Sequence, residues 1–142
     1  MEISYKDFLN ALIKNSLGIK LFRNAYFKKN KKVEDICKNG KLSCAFYVST
    51  LLKIVNLVEN IHYTVKGTLK DMERSGWRES KILIAPCVVV WSKLNNHYHL
   101  GFYVGDNKFV SNNSSKGIIK VHPNFKNRKI VKIYCHKNLC YN

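Results

Sequence analysis

The 142-residue sequence has few acidic residues, prolines and glycines. Asp and Glu number nine against 25 Lys and Arg, which leaves a formal net charge of +16. Two prolines and seven glycines accompany a hydrophobic fraction of 46%, so the composition excludes a disordered tail or a fibrous repeat and allows a buried core. A chain of this length predicts one domain, residues 1–142.

Arginine is also scarce, because 21 of the basic residues are Lys and only four are Arg. The planar fork of Arg is the group best suited to phosphate and guanine, and no helix-turn-helix, zinc-finger or RRM signature is present. An excess of Lys together with sixteen Asn is also typical of biased base composition. The charge therefore predicts a solvated basic surface, and residues 28–32 (K-K-N-K-K) are predicted to form a solvated loop. Binding to an anionic surface or polymer is left open.

Signals for membranes and metals are missing too. The first residues, M-E-I-S-Y-K-D, lack the basic and apolar segments of a secretory signal, and no run approaches ~18 apolar residues. The expectation is a cytoplasmic protein without a transmembrane segment, with export by another route left open. Five cysteines without a C-x-x-C pair predict reduced thiols and no metal or cofactor. Nothing in the sequence indicates the oligomeric state.

Hydrophobic periodicity changes along the chain from a helical to a strand pattern. Helices are predicted over residues 4–17, 19–27 and 64–75, and after Ser43, where apolar residues recur at helical spacing. Strands are predicted over residues 88–91, 97–104, 108–111, 117–121 and 129–134. The expected architecture is α+β, with N-terminal helices packed on an antiparallel sheet of about five strands.

Cys44 and His99 are the residues that suggest chemistry. Cys44 falls in the first turn of a helix, where the helix dipole and free N–H groups favour a thiolate nucleophile. His97 and His99 share one face of their strand, and an imidazole there could accept the thiol proton. A third polar group would then hold the ring. The spacing alone also fits a buried core cysteine without catalytic function.

Four sequence blocks resemble the NlpC/P60 cysteine peptidases. Residues 43–49 (S-C-A-F-Y-V-S) are similar to their D-C-S-x-F-V-x segment, and residues 99–110 (H-L-G-F-Y-V-G-D-N-K-F-V) to H-V-G-I-Y-x-G-x-x-x-F-V/I. Residues 111–117 (S-N-N-S-S-K-G) resemble H-A-S-S-S-x-G, and residues 85–91 (A-P-C-V-V-V-W) stand in place of P-G-D-L-V-F-F/W. The resemblance is strongest over residues 37–122.

This resemblance implies a papain-like fold and a thiol hydrolase. Cys44 would attack an amide carbonyl, often in a cell-wall peptide, and form a thioester, with His99 as general base and acid. Backbone N–H groups near the helix start would hold the oxyanion. The implied substrate is a peptide or another amide, no cofactor or metal is implied, and acyl transfer to an acceptor other than water is left open.

The sequence departs from the family pattern at three places. Ser43 stands where the family has Asp, and Pro86-Cys87 replace Gly-Asp. The third catalytic position, usually His, Asn or Gln, coincides with Ser111 by strict spacing. We expect Asn112 to take this role, because its carbonyl suits it better and a one-residue bulge would turn it toward His99; Ser111 is the alternative.

Two further functions remain as alternatives to the hydrolase. One is a catalytically inactive relative that binds peptides or partners in the same cleft. The other is a non-enzymatic basic module that binds nucleic acid or another anionic polymer, whose affinity would fall steeply with rising salt.

Overall fold

A computed structural model describes residues 1–140. These residues form four helices, a six-stranded antiparallel sheet and a two-stranded ribbon, which confirms the α+β class. The helices are α1 (Tyr5–Asn15), α2 (Cys44–Ile54), α3 (Val65–Arg74) and α4 (Lys137–Cys140). The strands are β1 (Tyr26–Lys29), β2 (Lys32–Asp35), β3 (Trp77–Glu79), β4 (Cys87–Leu94), β5 (His97–Gly105), β6 (Lys108–Asn113), β7 (Ile118–His122) and β8 (Ile130–His136).

The large sheet, in the order β3-β8-β4-β5-β6-β7, is covered on both faces near its centre. On one face Val88, Val90, Leu100 and Phe102 pack against apolar residues of α1, α2 and α3 in the main core. On the other face Val89, Trp91 and Phe109 form a smaller cluster. Burial on both faces explains the continuous apolar run in β4, because alternate residues of a strand point to opposite sides.

The five predicted strands are present, and the sheet has a sixth. Strand β3, which pairs with β8, was not predicted because three residues are too few to show a period of two. The helix predicted over residues 19–27 is wrong. The N–H of Gly18 donates to Ile119 O at 2.7 Å, and Ile119 N donates to Ile19 O at 3.2 Å, so this segment bonds to β7 instead of forming helical bonds.

The lysine-rich run lies at the tip of the β1–β2 ribbon rather than in an irregular loop. Asn30 and Lys31 both have positive φ, 52° and 65°, as a two-residue turn between twisted strands requires. Both residues and the neighbouring lysines are exposed, so the prediction of a solvated segment is confirmed while its backbone is a hairpin.

Helix α2 is held in place by a buried network centred on Asp71. Ser49 Oγ of α2 accepts from His62 N at 2.8 Å and donates to His62 O at 3.0 Å. Asp71 is fully buried and accepts from the N–H groups of Glu59 and Asn60, each at 2.9 Å, while His62 Nε2 lies 2.6 Å away. The segment between α2 and α3 is thereby fixed to both helices.

Replacing Asp71 by Asn should destabilise the fold by about 1–3 kcal/mol, because an amide cannot accept all the bonds that the carboxylate accepts. Although burial raises its pKa, the hydrogen bonds from Glu59, His62, Asn60 and Ser75 hold the Asp71 pKa at about 2. The ionised Asp71 therefore stabilises the folded state fully at pH values above its unfolded-state pKa of 3.8, and this stabilisation is lost as the pH falls toward 2. Urea unfolding across this pH range measures it, with the exposed Glu73→Gln as control; equal stability of Asp71→Asn and wild type would contradict the network's role.

Candidate active site

The loop that leads into Cys44 is organised by Asp35 and attached to the sheet by Asn112. Asp35 accepts from the N–H groups of Ala25 and Cys37 at 3.0 Å and of Asn39 at 2.8 Å. Asn112 Nδ2 donates to Gly40 O at 2.7 Å. Gly40 has φ +94°, and a Cβ there would collide with the Gly117 backbone. The position of Cys44 thus depends on contact between this loop and the β6–β7 turn.

The thiol of Cys44, the first residue of α2, lies in a low-dielectric environment that favours its neutral form. Burial raises the pKa of this thiol, although the backbone N–H groups of Leu100 and Ala45 and the charge of Arg128 act to lower it. The N–H groups at the helix start act in favour of the thiolate, as predicted, but desolvation of the sulfur outweighs them.

His99 is enclosed by aromatic rings on the face of β5 that points away from the helices. The ring centroids of Trp91 and Phe125 lie 5.5 and 5.4 Å from that of His99, and His99 is 8% exposed. Burial, assisted by the charges of Arg128 and His122, lowers the His99 pKa to about 3. The ring is neutral at physiological pH, so one of its nitrogens carries a free lone pair, although a pKa of about 3 also makes it a weak base.

A chain of hydrogen bonds connects His99 to a backbone carbonyl across three strands. His99 Nε2 lies 3.0 Å from Ser111 Oγ, and the same hydroxyl lies 2.7 Å from His122 Nε2. His122 Nδ1 lies 2.7 Å from Pro123 O. We call this chain, formed by His99, Ser111, His122 and Pro123 O, the relay.

The relay assigns a tautomer to both rings. A carbonyl oxygen can only accept, so His122 Nδ1 carries a proton and donates to Pro123 O. Burial lowers the pKa of His122, and in its neutral ring Nε2 is then an acceptor for the Ser111 hydroxyl. Ser111 Oγ accepts in turn from His99 Nε2–H. This leaves the lone pair on His99 Nδ1 as the available base.

The structure brings Ser111, not Asn112, to His99. Asn112 was expected to reach the ring through a bulge, but β6 and β7 pair without interruption from Phe109↔His122 to Asn113↔Ile118. Consecutive residues of a regular strand point to opposite faces, so Asn112 points away from the His99 side and binds Gly40 instead. Ser111, the residue at the strict spacing of the sequence blocks, is thus the one whose side chain contacts His99.

The Cys44 thiol lies next to the backbone of β5 rather than against the His99 ring. The Cys44 sulfur lies against the N–H of Leu100, the residue after His99. The β5–β6 ladder runs only from Phe102 to Gly105 on the β5 side, so Leu100 lies in the part of β5 beyond it. Within residues 1–140 no hydrogen bond joins the Cys44 sulfur to the His99 ring.

A cleft of about 260 Å³ opens beside the relay. Its walls come from β5, β6 and β7, the end of β4, the β6–β7 turn and the segment before β8. They are Leu94, His99, Ser111, Asn112, Asn113, Ser114, Ser115, Lys120, Val121, His122, Phe125, Asn127 and Arg128. Among the described residues Cys44 is not part of this wall. The cleft thus gives access to the base, while the thiol, which is partly exposed, lies outside it.

Sequence reasoning missed two residues of this site, His122 and Arg128. His122 was assigned no role, although the β6–β7 hairpin register places it diagonally across from Ser111. The signal for Arg128 was compositional, since it is one of only four arginines among 25 basic residues. Its Nη1 donates to Ser92 O at 2.8 Å and to His97 O at 2.9 Å, which fixes the guanidinium at the cleft.

Other histidines and cysteines have structural environments. His62 binds Asp71, and His136 Nε2 donates to Ser75 O at 3.0 Å, while His97 is exposed. All five cysteines are free. In the part of the chain that the structure describes, no group of three or more His, Cys, Asp or Glu side chains is arranged to hold a metal ion.

Within residues 1–140, no helix has both the length and the apolar character needed to cross a membrane.

In comparisons with known proteins, no protein-family model matches the chain and no curated protein is significantly similar to it.

Gly101→Ala should disrupt the relay. A Cβ at Gly101 would lie 2.8 Å from Ser111 Cβ and 2.9 Å from Trp91 Cζ3, so one of these side chains must shift. We expect a loss of about 1–3 kcal/mol in the free energy of unfolding and altered imidazole NMR signals of His99 and His122. The exposed Ser115→Ala is the control, and unchanged signals in Gly101→Ala would contradict the close packing.

The buried His99 should make the fold sensitive to mild acid. Its pKa of about 3 lies below the ordinary value of 6.5, so the unfolded chain binds more protons between these values. The stabilising contribution is complete above about pH 6.5 and decreases as the pH falls toward 3. Unfolding measured at pH 7.5 and 5 should show a smaller decrease for His99→Gln than for wild type. The exposed His97→Gln should retain the full decrease; equal decreases in all three proteins would contradict the burial of a neutral ring.

Proposed function

We propose that this protein is a papain-like thiol hydrolase of the NlpC/P60 kind, which cleaves an amide bond in a peptide through a thioester on Cys44. The observation that carries this proposal is the relay, because it leaves His99 Nδ1 unprotonated and holds the ring from its other nitrogen. The same division of roles between two ring nitrogens operates in thiol–imidazole catalysis.

The proposed reaction begins with two neutral groups. His99 Nδ1 accepts the Cys44 proton while the sulfur attacks the carbonyl carbon, which gives an imidazolium and a tetrahedral oxyanion. The imidazolium then protonates the leaving amine as the carbon–nitrogen bond breaks, and a thioester remains on Cys44. Water attacks the thioester with His99 again as base, which releases the acid and restores the thiol.

The surroundings of the thiol support oxyanion stabilisation. The N–H groups of Cys44, Ala45 and Leu100 act on the Cys44 sulfur, and the first N–H groups of a helix have no intrahelical acceptor. Donors fixed near the attacking sulfur are suited to the oxygen that becomes negative during attack. The thiol and ring still have to come together on substrate binding, as catalytic hydrogen bonds commonly do.

The positions of the sequence blocks in the fold also support the family assignment. Cys44 begins α2, His99 lies near the start of β5, and Ser111 lies on β6 beside His99. These are the elements that the resemblance implies for nucleophile, base and third residue. The unusual feature is that a serine occupies the third position and is itself supported by His122.

Acylation by p-nitrophenyl acetate tests the proposal without knowledge of the natural substrate. We expect a burst of p-nitrophenol and an acetyl group on Cys44, located by mass spectrometry. His99→Gln should slow this acylation by about 10²–10⁴-fold, the usual contribution of a general base. Cys140→Ser and His136→Gln are the matched controls and should acylate at Cys44 like wild type. The proposal would be overturned if all five cysteines were acylated equally, or if His99→Gln were acylated as fast as wild type.

Ser111 and Asn112 should differ in this assay. Ser111→Ala removes the hydroxyl that holds His99 and should slow acylation about tenfold, near the upper end of what a single hydrogen bond contributes. Asn112→Ala leaves the relay intact and loosens the loop before Cys44, so its main effect should be on stability. A larger decrease of the acylation rate in Asn112→Ala than in Ser111→Ala would reverse this assignment.

His122 should govern the acid limb of the pH–rate profile. When His122 gains a proton, both of its nitrogens donate, Ser111 must donate to His99 Nε2, and the His99 proton moves to Nδ1. The base is then blocked, so the rate should fall as the pH falls through the His122 pKa, which burial places below its ordinary value of 6.5. His122→Gln offers an acceptor that does not titrate, so its acid limb should move to lower pH. An unchanged limb in this variant would show that the relay does not set the tautomer.

A further inference from the structure

The cleft beside the relay contains cationic side chains and no anionic one. Arg128 and Lys120 line it, and the other polar residues of its wall, the relay aside, are neutral: Asn112, Asn113, Ser114, Ser115 and Asn127. We propose that the cleft binds a carboxylate of the substrate, with Arg128 and Lys120 as the residues that determine this specificity. This inference rests on the proposed hydrolase, because it identifies the substrate class of that site.

Arg128 is held in place without neutralisation of its charge. Its two recorded bonds run from one nitrogen, Nη1, to the carbonyl oxygens of Ser92 and His97 in the β4–β5 hairpin. Carbonyl groups orient a guanidinium but carry no net charge. Neither ion pair found within residues 1–140 involves Arg128, so a planar donor suited to a carboxylate lies at the cleft with no acidic partner.

Lys120 supplies the second charge from the opposite wall. It lies on β7 directly across from Ser111, and paired residues of antiparallel strands point to the same face. Lys120 therefore shares the face on which Ser111 binds His99. The two cations and the catalytic base surround one cavity, and two like charges on a partly enclosed surface attract an anion.

Arg128 also places this charge near the reacting atoms. Arg128 acts electrostatically on both Cys44 and His99, and Cys44 acts on Arg128 in return. A carboxylate bound at Arg128 would therefore lie within the electrostatic surroundings that both groups share. A volume of about 260 Å³, below the usual range of about 300–1,000 Å³ for pockets that enclose drug-sized ligands, suits a single residue. The inferred ligand is thus a single carboxylate-bearing group of the substrate.

Titration of the His99 and His122 imidazole NMR signals tests the carboxylate site without catalysis. N-acetylglycine presents a terminal carboxylate, N-acetylaspartic α-amide presents a side-chain carboxylate, and N-acetylglycinamide is the neutral match. We expect both signals to shift with at least one acid and not with the neutral amide at the same concentration. The stronger of the two acids identifies whether the carboxylate is terminal or in a side chain.

Arg128→Gln should abolish the shifts, and Lys120→Gln should weaken them, whereas the exposed Arg78→Gln should bind as wild type does. Equal shifts with acid and amide, no shift with any probe, or undiminished binding in Arg128→Gln would overturn the inference. The p-nitrophenyl acetate assay keeps the two proposals separate. Acylation of Cys44 that depends on His99, together with no acid-specific shift, rejects only the carboxylate site; acid-specific shifts without such acylation reject only the hydrolase.

Discussion

The two-residue alternation of the antiparallel sheet is the constraint on which the site depends. It places His99, Ser111 and His122 on one face, where their rings and hydroxyl form the relay, and Leu100 on the other, in the core beneath the helices. A shift of one residue in either strand would exchange these faces. The uninterrupted β6–β7 register is therefore as important to the chemistry as any single side chain.

Burial has opposite consequences for the two candidate catalytic groups. Desolvation raises the pKa of the Cys44 thiol and lowers that of His99 to about 3, so both groups are neutral before reaction. A standing thiolate–imidazolium pair is thereby disfavoured, so the proposed reaction requires proton transfer to accompany attack. The relay compensates for the weak orienting power of a lone serine, because His122 and the Pro123 carbonyl fix the direction in which the Ser111 hydroxyl donates.

In the folded chain the basic residues divide into those exposed on the surface and those that line the cleft. Most lysines lie on the surface, including those at the tip of the β1–β2 ribbon, and they carry no evident chemistry. Arg128 differs, since its guanidinium is tied to the β4–β5 hairpin and lines the cleft without an ion-pair partner in the described part of the chain. The cleft therefore combines one of the four arginines with one of the 21 lysines, Lys120.

Local pattern by itself determined the α+β class, the helix at Cys44, the five main strands and the shared face of His97 and His99, because apolar periodicity directly reflects burial. It could not predict that residues 18–19 would bond to β7 or that β3 would add a sixth strand, and it left Ser111 only as the alternative to Asn112 beside His99. Only the tertiary structure decided these points and the roles of His122 and Arg128. They depend on strand register, desolvation and long-range hydrogen bonds, which join residues whose proximity no local pattern records.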